Sequence, residues 1–155
     1  MTELLKINVN EFTEKKNGLT YLSWANAWKV AIENDANVEW SVDMYDGKPY
    51  LFDENLGYMV STKVTIGEKT LPMQLPVMDN TNQAMRHIAY EVTTGKGSRT
   101  IKPATMFDIN TAIMRCLVKN LAMFGLGLYI YAGEDLPDGE EAPKKELTTN
   151  DDDFI

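Results

Sequence analysis

The sequence predicts an α+β fold, in which an antiparallel β-meander of three to four strands packs against a long central helix, with additional shorter helices. Two periodicities predict it. Apolar residues recur at helical spacing over residues 105–124, a stretch without Gly or Pro, and they alternate with polar residues between residues 38 and 77. The chain of 155 residues is 44% hydrophobic, so residues 1–133 are expected to bury one core and form one domain.

Two elements are expected before the meander. Residues 1–20 are polar with scattered apolar positions, which indicates an N-terminal arm or a short helix. Ser23 is placed as an N-cap, and the spacing that follows predicts a helix over residues 24–34. Its expected apolar face consists of Trp24, Ala27, Trp28, Ala31 and Ile32. Both tryptophans can stack nucleobases, but their helical spacing favours the core.

The meander is predicted from alternating runs joined by short turns. Residues 38–44 form the first run, the turn at Asp46 and Gly47 leads into residues 49–52, and residues 58–66 form the next strand. A turn at residues 67–68 leads into the last strand, residues 69–77. Pro72 and Pro76 cannot donate to a ladder, so this strand is expected at an edge.

Four elements are expected after the meander. Asp79 begins a turn cluster that predicts a helix to about Val92, and residues 93–103, with three cations and no acid, predict a mobile basic loop. Thr105 and Asp108 fit a capping box at the start of the central helix. Residues 128–132 predict a short strand. The single histidine, His87, is expected to be structural or solvated.

The net charge of −8 is unevenly distributed. Residues 134–155 hold nine acidic and two basic residues, which predicts a disordered acidic tail. Residues 63–133 hold eight basic and four acidic residues, a net charge of +4. Six of those cations fall within 34 residues of each other: Arg86, Lys96, Arg99, Lys102, Arg115 and Lys119.

Such a cluster is a candidate phosphate-binding surface, because each neutralised phosphate releases counterions. Nearby tyrosines can supply stacking surfaces for bases, namely Tyr90, Tyr129 and Tyr131. From composition alone, a solvated charged face is an equal alternative.

Enzymatic chemistry is disfavoured. One His and one Cys cannot make a zinc site unaided, and Cys116 lies in an apolar helix where it is expected in the core. Acidic residues at turns are expected to be solvated rather than to hold Mg²⁺, and no phosphate-cradling glycine loop is present. We therefore expect no enzyme, no metal site and no cofactor.

The location of the protein follows from what the sequence lacks. No apolar run approaches a membrane span, no signal peptide is recognisable, and a single cysteine cannot form a disulfide within the chain. These features predict a soluble intracellular protein without membrane contact.

The end of the acidic segment is a candidate partner-binding site. It carries an anionic run with apolar residues after it: Asp151, Asp152, Asp153, Phe154 and Ile155. Such a peptide can enter an apolar pocket rimmed by cations on a partner, can fold over the basic residues of its own chain, or can act only as a solubilising tail.

Three motifs carry a resemblance to a known family. They are YLSWA at residues 21–25, PVMD at residues 76–79 and FGLG at residues 124–127. These residues resemble the phage single-strand annealing proteins of the Sak type, which are placed with the Rad-fifty-two-like recombination mediators. The resemblance covers about residues 18–137.

The resemblance implies a homo-oligomer, either a ring or a helical multimer, that anneals complementary DNA strands without ATP in the cytoplasm of a bacterial host cell. It also implies single-stranded DNA in a basic groove, contacted by cations on the helix before the Phe-Gly turn. Lys119 matches such a position, whereas Val118 and Ala122 depart from the pattern. We therefore expect the preceding loop to supply the missing charge.

The tail is also similar to the acidic tip of bacterial single-stranded-DNA-binding proteins, although it lacks the Pro-Phe end. Host or phage replication and recombination proteins are therefore candidate partners. The alternatives are a passive single-stranded-DNA-binding protein with a partner-recruiting tail, and an oligomeric phage adaptor. The long helix disfavours the small β-barrel typical of passive binders.

Overall fold

The computed structural model describes residues 2–16 and 19–131 of the chain. Its helices are α1 (Thr2–Leu5), α2 (Trp24–Asn34) and α3 (Met106–Met123), with short 3-10 turns at Asn10–Phe12 and Leu128–Tyr131. Its strands are β1 (Thr13–Lys16), β2 (Leu19–Leu22), β3 (Glu39–Val42), β4 (Leu51–Asp53), β5 (Gly57–Ile66), β6 (Lys69–Pro76), β7 (Tyr90–Thr94) and β8 (Gly97–Ile101). The predicted α+β fold is confirmed.

The antiparallel meander has four strands, with β5 at its centre. The whole of β6 pairs with one side of β5, while β3 and β4 share the other side. No strand in the described part of the chain pairs with the outer side of β6. The predicted edge position is therefore confirmed, and Pro72 and Pro76 lie opposite Lys63 and Met59 of β5.

Helix α3 packs across β5 and β6. The side chain of Asn120 is fully buried, and its amide nitrogen donates to Oγ1 of Thr62 at 3.1 Å and to the carbonyl of Leu71 at 3.0 Å. Because a buried amide is costly without partners, these bonds fix the helix to both strands. Cys116 is buried at the same interface, with Sγ 3.3 Å from Oγ1 of Thr62, as expected for a core cysteine.

Both ends of α3 follow from the sequence. The predicted capping box is present, with the Thr105 backbone N–H donating to the Asp108 carboxylate at 2.8 Å. The helix is followed by Gly125 at φ +110°, where an added Cβ would lie 2.8 Å from Cγ of Leu5. Only glycine therefore fits this turn against α1.

The predicted helix over residues 79–92 is wrong. Residues 79–89 form an irregular loop, and β7 begins at Tyr90. Oδ1 of Asp79 accepts the backbone N–H groups of Thr81 and Gln83 at 2.9 and 3.1 Å, so the residue caps a local turn rather than a helix. The β-branched run of residues 92–94 then favours a strand.

The predicted mobile loop over residues 93–103 is also wrong. These residues complete the antiparallel β7–β8 hairpin, in which Val92 lies opposite Arg99 and Thr94 lies opposite Gly97. The polar composition misled the prediction, since the alternation of buried Ile101 with exposed Thr100 is a strand pattern. The predicted strand at residues 128–132 is a 3-10 turn at Leu128–Tyr131.

The helix over residues 24–34 is confirmed, but its predicted face is only partly correct. Ala27 and Ala31 are buried, as is Val30, whereas Trp24 is 49% exposed and Ile32 is 42% exposed. The placement of Trp24 in the core was therefore wrong. Trp28 packs half-buried against the core.

The N-terminal arm is part of the folded body. It comprises α1, the first 3-10 turn and the β1–β2 hairpin, and it buries Leu4 and Val9 against α2 and the end of α3. The predicted tail, residues 134–155, lies outside the described residues, together with its candidate partner-binding residues.

Candidate nucleic-acid interface

A groove of about 1020 Å³ runs between three parts of the fold. One side is α3, another is β8 with the loop after β6, and the third is the β1–β2 hairpin with the start of α2. Four of the six predicted cations line it: Arg99, Lys102, Arg115 and Lys119. Residues that are up to 20 positions apart in the sequence therefore meet on one concave surface.

The helical cations reach the groove because their face of α3 lies beside the buried stripe. Arg115 and Lys119 are one turn apart and project in the same direction. The Arg115 guanidinium lies 5.7 Å from the ring centroid of Tyr21, and the Lys119 ammonium lies 5.9 Å from that of Tyr131. These cation–π contacts hold both charges at the groove surface.

The other two cations are presented by β8. Arg99 shares its face of the strand with Ile101, which is completely buried, so Arg99 points inward and is itself partly buried. Lys102 follows the last residue of β8 and is exposed. One wall of the groove is thus a core helix, and a second wall includes strand β8 of a two-stranded hairpin.

Arg86 and Lys96 are not among the residues that line the groove. The Arg86 guanidinium stacks over the ring of Tyr90 at 3.9 Å, which directs it along the start of β7. Lys96 is exposed in the turn between β7 and β8. The structure does not bring these two residues together with the other four.

Val118 and Ala122 are only 4% and 2% exposed, respectively. A cation at either position would lose its hydration on folding, which is costly. Both positions are therefore packed, although Val118 also lines the groove, and Arg115 and Lys119 are the cations that α3 presents to it.

Three carboxylates also line the groove, so the lining residues carry four cations and three acids. Asp108 accepts from the Thr105 backbone and Asp79 accepts from its own turn, while Glu14 is exposed on β1. The groove is consequently only weakly positive, and charge alone does not distinguish it strongly from other surfaces.

Aromatic side chains line the groove as well. Of the three tyrosines predicted as stacking surfaces, Tyr131 lies in it, whereas Tyr90 is covered by Arg86 and the Tyr129 hydroxyl accepts from the Val9 backbone at 3.3 Å. The sequence did not single out Tyr21 and Phe107 as stacking surfaces, and Trp24, although considered for stacking, was assigned to the core. Trp24 is the first residue of α2, directly after the N-cap Ser23, and it is half exposed.

The single cysteine and the single histidine stand outside the groove. Burial raises the pKa of the Cys116 thiol, which favours its inert neutral form. His87 is exposed and contacts the edge of the Phe52 ring. Among residues 2–16 and 19–131, no group of three or more His, Cys, Asp or Glu could hold a metal ion, and no described helix is long and apolar enough to cross a membrane.

The profile of the Sak single-strand annealing proteins matches residues 1–153. The chain belongs to this family. The match extends well beyond the three motifs, and two of those motifs border the groove: residues 21–24 of the first, and Met78 and Asp79 of the second. No curated protein sequence and no solved structure was found to match the chain of this Sak family member.

Proposed function

We propose that this Sak family protein binds single-stranded DNA in the groove and anneals complementary strands in phage homologous recombination, without a nucleotide or metal cofactor. The observation that carries the proposal is the convergence of Arg99 in β8 and Lys102 directly after it with Arg115 and Lys119 in α3. Cations on two walls of one groove can hold one strand by its phosphates.

Phosphate contacts position a strand and carry no sequence information. A strand held in this way keeps its base edges available for pairing with a second strand. Annealing then requires neither bond cleavage nor hydrolysis, which fits a protein that acts by positioning rather than as an enzyme.

We extend the proposal to the remaining predicted residues and to the assembly. Lys96, at the tip of the β7–β8 hairpin, and Arg86 contact the strand where it leaves the groove.

Subunits stand side by side in a ring or helical multimer in the bacterial cytoplasm, and the acidic tail recruits replication or recombination proteins of the host or phage. Electron microscopy with and without an oligonucleotide tests the assembly.

The test of the groove is the double substitution Arg99→Glu and Lys119→Glu, which reverses charge on both walls. We expect annealing of complementary oligonucleotides to be abolished while the circular dichroism spectrum stays unchanged. Lys48→Glu with Lys69→Glu is the matched control, because both lysines are exposed, lie outside the groove and give the same change in net charge. Annealing at the wild-type rate in the groove variant would refute the site.

The same assay separates the proposal from a passive single-stranded-DNA-binding protein with a recruiting tail. An annealing protein accelerates duplex formation, whereas a passive binder protects the strands and gives no acceleration. The rate is expected to be the same with ATP, without ATP and with EDTA. Dependence on ATP or a metal ion would contradict the cofactor-free mechanism.

A further inference from the structure

The weak charge of the groove requires a second source of affinity if the proposed function is correct. Its four lining cations are accompanied by three carboxylates, two of which accept backbone hydrogen bonds that fix them in place. A strand of DNA is attracted by the cations and repelled by these acids. Phosphate contacts alone therefore give a shallow electrostatic attraction.

The groove also holds exposed aromatic surface. Phe107, in the first turn of α3, is 79% exposed, and Trp24, in the first turn of α2, is 49% exposed. Single exposed apolar residues are common on soluble proteins. Here, however, two large rings from different helices line one groove together with four cations.

We infer that Trp24 and Phe107 form a nucleobase-stacking site for single-stranded DNA; this inference rests on the proposed function. Stacking on aromatic rings uses the face of a base, so it leaves the pairing edge accessible, as annealing demands. The cations hold the phosphates of the strand while the rings hold its bases.

Charge favours nucleic acid over an apolar protein face as the occupant of this surface. Burying the rings against an apolar protein face would also remove the neighbouring cations from water without anions to pair with them, which is costly. A single strand supplies both the missing anions and flat apolar surface. It is therefore complementary to the groove in both respects.

The test compares an oligothymidine with an abasic strand of the same length, which keeps the phosphates and lacks the bases. Trp24→Ala with Phe107→Ala is expected to lower affinity for oligothymidine by roughly 10-fold or more. Its affinity for the abasic strand and the dependence of log K on log salt are expected to stay at wild-type values. Because both rings are exposed, the fold is expected to survive, which circular dichroism checks.

Two control variants sharpen the test. Trp24→Phe with Phe107→Tyr keeps stacking surface and is expected to retain most of the oligothymidine affinity. Ile32→Ala removes exposed apolar surface outside the groove and is expected to have no effect. Arg99→Glu with Lys119→Glu, in contrast, is expected to weaken binding of both strands and to flatten the salt dependence.

Four results would overturn the inference. Two concern the affinity of the alanine variant, which could be unchanged for oligothymidine or reduced equally for both strands. The third is loss of oligothymidine binding by the variant that conserves stacking. The fourth is a smaller assembly of the alanine variant in sedimentation, which would place the rings against a second copy of the chain. Wild-type protein that binds neither strand would reject the proposed function as well. If the wild-type protein binds both strands and the alanine variant binds them equally well, only the stacking site is rejected.

Discussion

The two cationic walls of the groove are built in different ways. Helix α3 buries nine of its residues and bonds β5 and β6 through Asn120, so its cations stand on the core of the domain. The β7–β8 hairpin pairs, within the described residues, only with itself, and β8 contributes one completely buried side chain, Ile101. An isolated two-stranded hairpin is at best marginally stable in water. One wall is therefore fixed by the core, and the other depends on a few anchoring contacts.

The anchoring contacts of the hairpin wall lie at its base. The backbone N–H of Ala104 donates to the carbonyl of Arg86 at 2.9 Å, and that of Met85 donates to the carbonyl of Val77 at 2.8 Å. The first bond joins the segment before α3 to the loop after β6, and the second holds that loop against the end of β6. Damage to α3 should therefore affect the whole fold, whereas damage to the hairpin turn should affect binding more than folding.

The largest expected effect on stability comes from Leu121→Ala in α3. Leu121 is completely buried between α2 and the meander, so its loss leaves a cavity and should lower the free energy of unfolding by about 2–5 kcal/mol. Urea denaturation measures it. Met123→Ala, two residues away and 55% exposed, is the control and should change it by less than about 0.5 kcal/mol. Equal losses of unfolding free energy in the two variants would mean that the groove wall formed by α3 is not fixed by the core.

A smaller effect is expected from Gly97→Ala in the hairpin turn. Gly97 has φ +108°, and an added Cβ meets nothing within 4 Å, so the cost is backbone strain alone, about 1–3 kcal/mol. Because the hairpin opens locally, hydrogen exchange should increase in residues 90–101 and remain unchanged in α3. Gly95→Ala, without positive φ and also in open space, is the matched control. Increased exchange throughout α3 would contradict the separation of the two walls.

The same contrast explains which features could be predicted from the sequence. The meander and α3 were predicted because their apolar periods of 2 and 3.6 persist over many residues and coincide with real burial. Residues 79–103 carry short, conflicting signals. Asp79 caps a local turn there, although the same residue type also begins helices. The Gly-rich polar residues that follow belong to two neighbouring strands, β7 and β8, that pair with each other.

The candidate site was predictable only in part for a related reason. Charge clustering identified the four cations that line the groove and grouped Arg86 and Lys96 with them, because position in the sequence does not show where the loop before β7 directs Arg86 or where the hairpin turn places Lys96. Phe107 was not singled out and Trp24 was assigned to the core, because exposure of an aromatic ring depends on packing that the sequence does not show. The positions of Val118 and Ala122 became interpretable only once their burial was known.

If both walls of the groove hold one strand, cations from each wall should contribute to the salt dependence of single-stranded DNA binding. Each phosphate contact to a single strand contributes about 0.7 to the slope of log K against log salt. Arg115→Ala with Lys119→Ala, and separately Arg99→Ala with Lys102→Ala, should each reduce the slope by about 1.4. The combination of all four should lower it by about twice that amount. A wild-type slope after removal of either pair would show that the strand does not run between the two walls.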